Sequence, residues 1–234
     1  MLRAKGRFEV TKFSINGNPN IGVYIHASDS YVLIPPGLSS KDINVLREAL
    51  GVDRIVETTI FNMGIVGVLV AGNNYGVLLP KTVMEEEYER IKRGLRDLNV
   101  AVLDVKENAL GNLIAANSRA ALVYPHFDSR VERVIADTLG VEVHRMSVGG
   151  VNVAGSVLVV TDRGGVVCPE ALDEEVKVLS SIFKVPVLQA TVNFGVSFIR
   201  VGLIANSFGA LAGEDTTGPE LARIQMALGG EVGG

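Results

Sequence analysis

Apolar and polar positions along this chain follow a pattern that returns at steps of about 44 residues. Five segments align: GVYIHASDSYVLIPP from Gly22, GVLVAGNNYGVLLP from Gly67, GNLIAANSRAALVYP from Gly111, GSVLVVTDRGGVVCP from Gly155 and RVGLIANSFGALAG from Arg200. Each reads as two short apolar strands around a polar turn. The turns fall at Asp29, Asn74, Ser118, Asp162 and Asn206, residue types that accept tight or left-handed backbone. Pro35, Pro80, Pro125 and Pro169 end the second strands because proline cannot donate to a ladder, and Gly213 takes that place in the fifth unit.

A helix follows each hairpin. The apolar stripes Ile43/Leu46/Leu50, Tyr88/Ile91/Leu95, Val131/Val134/Thr138, Val176/Leu179/Phe183 and Leu221/Ile224/Leu228 each lie on one helical face. Only Thr138 interrupts a stripe, with Leu139 beside it. The starts are marked by Ser39 or Ser40, by the boxes Thr82-x-x-Glu85 and Thr217-x-x-Glu220, and by Asp128 and Asp173.

A third strand follows four of the helices, at Ile55–Ile60, Val100–Val105, Val141–Met146 and Val185–Val192. The fifth helix is followed only by Gly-Gly-Glu-Val-Gly-Gly. The N-terminal run Arg7–Val10 alternates like a strand and has no unit of its own. It is therefore expected to complete the fifth unit and close a ring, leaving no sheet edge or terminal repeat to cap. The fold class is α/β, one ring domain over residues 1–228 with a short flexible tail at 229–234.

Composition narrows the function. Apolar residues make up 47% and charged residues 21%, which excludes a disordered chain. The net charge of −4 argues against a basic nucleic-acid binder. One cysteine excludes an intrachain disulfide and a Cys-rich zinc site. The N-terminus lacks a signal-peptide core, and the longest apolar run, between Gly64 and Gly72, is too short to span a bilayer. A soluble cytoplasmic protein, monomeric and without a membrane role, is expected.

Catalytic motifs are sparse. Cys168 could be a nucleophile, but its repeat equivalents Ile34, Leu79, Tyr124 and Ala212 are apolar, so it reads as core. His26, His126 and His144 have no partner at metal-ligand spacing. Glu85–Glu87 read as a helix first turn, and Arg90, Lys92, Arg93 and Arg96 as a solvated helix face. No phosphate loop or dinucleotide fingerprint occurs. No catalytic, cofactor or metal residue is assigned.

A repeat ring of this kind presents surfaces. The starts Gly22-Val23, Gly67-Val68, Gly111-Asn112 and Gly155-Ser156 are expected to gather on one face around the axis. Asn112 and Ser156 are the polar members, and Asn193 follows in chain order. Asn112 is either a partner contact or a cap for local backbone.

At these residues the chain resembles the archaeal translation initiation factor six family, the ribosome anti-association factors. The runs Lys106–Asn112, Ala121–Pro125, Val141–Val143, Gly164–Val167, Val185–Val187, Thr191–Asn193 and Asp215–Thr217 carry the resemblance in order, over about Phe8 to Leu228. It implies a five-fold pseudosymmetric pentein ring that binds the large (50S) ribosomal subunit and blocks premature joining of the small one. The implied partner is mainly ribosomal protein near the sarcin–ricin loop, with limited rRNA contact and no cofactor. Candidate ribosome-binding residues are Gly111, Asn112, Ser156, Asn193 and Val68. Val68 stands where the family usually has Arg, and the eukaryotic C-terminal extension is absent, so phosphorylation control does not carry over. The second reading is a guanidine-modifying pentein enzyme using Cys168 and His126; its family places the nucleophile near the C-terminus, unlike Cys168. A third is a scaffold with no link to the ribosome.

Overall fold

In the computed structural model, residues 8–230 are described. The chain opens with β1 (Val10–Phe13). The first unit is α1 (Ile21–Tyr24), β2 (His26–Ala27), β3 (Val32–Ile34), α2 (Ser40–Leu50) and β4 (Ile55–Glu57). The second is α3 (Val66–Leu69), β5 (Ala71–Gly72), β6 (Gly76–Pro80), α4 (Glu85–Gly94) and β7 (Asn99–Leu103). The third is α5 (Leu110–Leu113), β8 (Ala115–Ala116), β9 (Ala120–Val123), α6 (Ser129–Leu139) and β10 (Glu142–Arg145). The fourth is α7 (Ala154–Val157), β11 (Leu158–Val160), β12 (Gly165–Val167), α8 (Asp173–Phe183) and β13 (Val187–Gln189). The last has α9 (Ile199–Gly202), β14 (Leu203–Ala205), β15 (Ala210–Gly213) and α10 (Gly218–Gly229).

The architecture is mixed α/β, with five small three-stranded sheets of one plan. In each, the first and second strands form an antiparallel hairpin, and the third pairs in parallel with the second after the long helix crosses over. The fifth sheet takes its third strand from the chain start: Val10–Phe13 pairs in parallel with Ala210–Gly213. The expected N-terminal strand is thus present but begins at Val10, since its register runs Val10↔Ala210 to Phe13↔Gly213. Arg7 lies outside the described residues. Phe8, ahead of the strand, is buried and packs under the guanidinium of Arg163.

Two expectations on strands need correction. The Gly-x starts do not belong to the first strands; they curl into the one-turn helices α1, α3, α5 and α7. Val70 N–H donates to Val66 O at 3.0 Å, and Ile114 N–H to Leu110 O at 3.0 Å. The reason is crowding at the centre. Each turn packs on the next, α1 on α3 on α5 on α7 on α9, and α9 returns to α1. Third strands are also shorter than expected, because the chain soon turns back: Ile60 bridges Met63, and Val148 bridges Val151, around residues at positive φ.

Helix stripes bury between neighbouring units. Leu46 and Leu50 of α2 pack with Ile204 and Leu211 of the fifth unit, while Ile135 and Leu139 of α6 pack with Leu78 of the second. Each such side chain stabilises by roughly 1.5–3 kcal/mol. The buried face of α6 differs in phase from the expected stripe: Val134 is exposed, and Ile135 takes the buried position. Thr138 stays buried by donating its hydroxyl to Val134 O. Ser39 and Asp128 cap as expected. Thr82 and Asp173 do not. There the caps are Met84 and Leu172, whose N–H groups donate to the N3 carboxylates of Glu87 and Glu175 at 3.0 and 2.7 Å. A carboxylate reaching back from N3 satisfies the first orphan donor without a polar cap side chain.

Candidate binding face and axial centre

Strand direction sorts the loops into two faces. The hairpin turns lie at one end of every sheet. The one-turn helices, the reversals after the third strands and the N-termini of the long helices lie at the other. On that second face a Cβ added at Gly67, Gly111 or Gly155 would fall under 3.0 Å from the carbonyl oxygen of Gly22, Gly67 or Gly111 respectively. Successive helical turns can approach this closely only without side chains. The fifth equivalent is Arg200.

The sequence-predicted residues divide accordingly. Val68 on α3, Gly111 and Asn112 on α5 and Ser156 on α7 sit on adjoining turns of this face. Val68 and Asn112 are half-buried; Gly111 and Ser156 are buried. Asn193 is on the same face but not on a one-turn helix. It lies in the reversal before α9 at φ 47° and is buried. Its Nδ2 donates to Pro19 O at 3.1 Å, and its Oδ1 accepts from the Thr216 hydroxyl at 3.2 Å. Its amide joins the fifth unit to the first.

Sequence reasoning missed the aromatic tips of this face. Phe61 and Phe194 stand at φ 53° and 62° and are 55% and 82% exposed. Bulky residues rarely take this conformation, which costs about 1–2 kcal/mol. Both tips are held from beneath by a carboxylate. Glu87 accepts from the Thr59 hydroxyl and from the N–H groups of Phe61 and Asn62, at 2.6, 2.7 and 2.8 Å. Glu220 does the same for Thr191 and Gly195 at 2.6 and 2.8 Å. Burial alone would raise Glu220, but these hydrogen bonds outweigh it and hold its pKa near 2. Glu87 is lowered in the same way. The available signal was positional: Phe stands where other reversals have Asn16-Gly17 or Gly149-Gly150.

At the centre lies a second feature the motifs did not announce. Arg200 Nη2 donates to His26 Nδ1 at 3.1 Å, and Nε donates to Gly67 O at 3.3 Å. Arginine has no acceptor, so Nδ1 must be the unprotonated nitrogen. Nε2–H then donates to the Tyr31 hydroxyl at 3.1 Å, which donates to Gly76 O at 3.3 Å. Burial, helped by the Arg200 charge, lowers the His26 pKa to about 3. His26 is therefore a neutral core histidine, as its isolation in the sequence suggested.

The enzyme constellation does not assemble. Cys168 is buried beside Gly149, and burial, with nearby Glu170, pushes its thiol pKa up. His126 is exposed and stacks edge-on against Tyr124. His144 on β10 faces Glu142 at 3.7 Å. Among the described residues, no group of three or more His, Cys, Asp or Glu comes together as a metal site. No helix among them is long and apolar enough to cross a membrane.

These features define a repeat-built α/β protein whose distinctive surfaces are a glycine-lined face and an axial centre. The chain belongs to the eIF-6 family, whose model matches residues 10–227. It is similar to the protein named translation initiation factor 6 of Aeropyrum pernix, 51% identical over 97% of this chain and 98% of that relative. The protein of the same name in Saccharolobus islandicus is 43% identical over 93% of this chain and 98% of its own length. That of Pyrococcus horikoshii is 41% identical over 94% and 98%.

Proposed function

We propose that this chain is a translation initiation factor that binds the large (50S) ribosomal subunit and sterically prevents premature joining of the small one. Family membership supports the first half. The observation that carries the binding mode is Phe194, an aromatic held at positive φ and 82% exposed on the helical-turn face. A rigid exposed aromatic on a carboxylate-braced turn suits a protein partner, where aromatic anchors dominate binding energy. With Asn112 and Val68 on the same face, the reading favours ribosomal protein near the sarcin–ricin loop, with limited rRNA contact. The net charge of −4 suits basic ribosomal proteins better than phosphate.

In this reading the five units form a pentein-type ring in one domain, a monomer in the cytoplasm. The action is occlusion, without turnover or cofactor. The test is sedimentation of the purified chain through sucrose gradients with isolated 50S subunits, followed by addition of 30S. Co-migration with 50S and fewer 70S particles is the expected outcome. A chain that stays at the top of the gradient, with 70S formation unchanged, refutes the reading.

A further inference from the structure

Between the five first strands runs a narrow axial cavity of about 40 Å³. Its lining consists of glycine, alanine, valine, leucine and isoleucine from all five units, plus His26 and Arg200. No carboxylate lines it, and among the described residues none pairs with Arg200.

The donor count of Arg200 is incomplete within the protein. Of its five N–H groups, Nε–H goes to Gly67 O and one Nη2–H to His26. The other three have no protein acceptor among the described residues. His26 cannot supply an opposite charge, being neutral and committed to Tyr31 through Nε2. Asp29 and Asp162 belong to the hairpin-turn mouth and are engaged there. Asp29 accepts from Ser207 N–H at 2.7 Å and Asp162 from Ser118 N–H at 2.8 Å, and Asn74 Nδ2 bridges both carboxylates. Burial lowers the Arg200 pKa only to about 10, so the guanidinium remains charged at neutral pH. Arg200 is half-buried, so its unpaired N–H groups are accessible from the cavity and available to an anion rather than sealed in the core.

We propose that the axial cavity is a binding site for a small monovalent anion of halide size, held by the guanidinium of Arg200. Size sets the class. The volume is room for roughly one to three water molecules. A chloride ion is only a little larger than water and fits. Nucleotides do not. The anion neutralises Arg200 where five strands and the turns of units one, two and five converge. Its binding therefore stabilises the joint between chain ends rather than any reaction, and it is independent of the ribosomal role.

Two measurements test this. Crystals of the full chain equilibrated in sodium bromide, with data collected at the bromine edge, are expected to show an anomalous peak within hydrogen-bond distance of Arg200 in the cavity. Water alone there, or bromide only on the outer surface, overturns the proposal. The melting temperature is also compared in chloride and in gluconate, an anion too large to enter, at equal ionic strength. A saturating chloride-specific rise is expected, and it should vanish in Arg200→Gln. An equal response in both proteins overturns the proposal. Should Arg200→Gln fail to fold, the bromide peak in the unaltered chain decides.

Discussion

Asn206 Nδ2 donates to Leu50 O at 2.7 Å, tying the last hairpin turn to the C-terminal end of the first long helix across 156 positions. The same amide donates to Ser28 O at 3.1 Å, while its Oδ1 accepts from Phe208 and Gly209 N–H. One side chain thus fixes its own turn, the next unit's turn and the next unit's helix end. Asn73 and Asn117 repeat this toward the third and fourth units, reaching Leu139 O at 2.8 Å and Phe183 O at 3.0 Å. In the fourth unit Thr161 holds the turn, and Arg163 reaches Gly229 O at 2.6 Å instead. In every case the reach is from one unit to the next.

Asn206→Ala leaves four backbone groups in a buried joint without partners, at about 1–3 kcal/mol for each that water cannot reach. A loss of roughly 3 kcal/mol is expected, seen as a clear fall in the urea midpoint. A midpoint shared with the unaltered chain would show that this joint is open to solvent.

Gly67→Ala places a methyl group against the backbone carbonyls of Gly22 and Ile25, which cannot rotate away. Overpacking at such a point costs about 3 kcal/mol. Gly218 has open space around it at the start of α10, so Gly218→Ala should leave stability within about 0.5 kcal/mol. Thermal melts of the two variants should separate widely. Similar melts would show that the helical turns move apart to admit a side chain.

The repeat was legible because proline and turn residues recur at a fixed step, and a side chain's type reports local geometry. What a single unit cannot report is where its side chains go in the next. The sequence pattern puts Asn206 at the fifth turn position, but Ser207 is the equivalent of Asp29, and Asn206 matches Asn73 and Asn117. The error is one residue, and it hid the clamp. Arg200 was visible as the only charge between Val196 and Ala205. Its destination was not, because His26 is 174 positions away. The α6 phase failed where Val134 and Ile135 are chemically equivalent and only packing chooses between them. Of the face, Val68, Gly111, Asn112 and Ser156 were found through repeat alignment. Phe61 and Phe194 were not, because an exposed aromatic looks like a core residue in sequence.

Acid should act on the braced turns. Glu220 has a pKa near 2 when folded, against 4.5 unfolded, so between these values the unfolded chain takes up a proton that the folded chain does not. Its contribution is present above about pH 4.5 and fades as the pH drops toward 2. Glu220→Gln should cost about 2 kcal/mol at pH 7, the usual worth of hydrogen bonds to a charged acceptor. The gap between variant and parent should close as the pH approaches 2. A gap independent of pH would assign the loss to packing.

His26 offers a spectroscopic check on the centre. Its ring is expected to remain neutral with the proton on Nε2 from pH 8 down to about pH 4.5, because its folded pKa is near 3. Nitrogen-15 shifts of the ring should stay constant over that range. The unfolded ring protonates near 6.5, so below that value His26 removes up to about 1.4 kcal/mol of stability per pH unit. A ring that titrates between pH 6 and 7 would mean that Arg200 does not stand against Nδ1.

Asn112 tests the face itself. It is half-buried on α5, and its N–H is already taken by Ala109 O at 2.9 Å, so its side-chain amide is the group available to a partner. An amide both donates and accepts, which suits contact with a partner's backbone. Asn112→Arg adds bulk and charge at the centre of the proposed interface while leaving the helical-turn glycines in place. If that face meets the 50S subunit, affinity should fall by thirtyfold or more, corresponding to about 2 kcal/mol at a desolvated contact. Lys92 lies on the outer face of α4, where it covers the Tyr88 ring at 5.3 Å. Lys92→Ala should change affinity less than threefold, since exposed charges contribute about 1 kcal/mol at most. Both variants should melt close to the parent. Equal 50S affinities in two folded variants would move the interface off the helical-turn face, toward the hairpin turns or the outer helices.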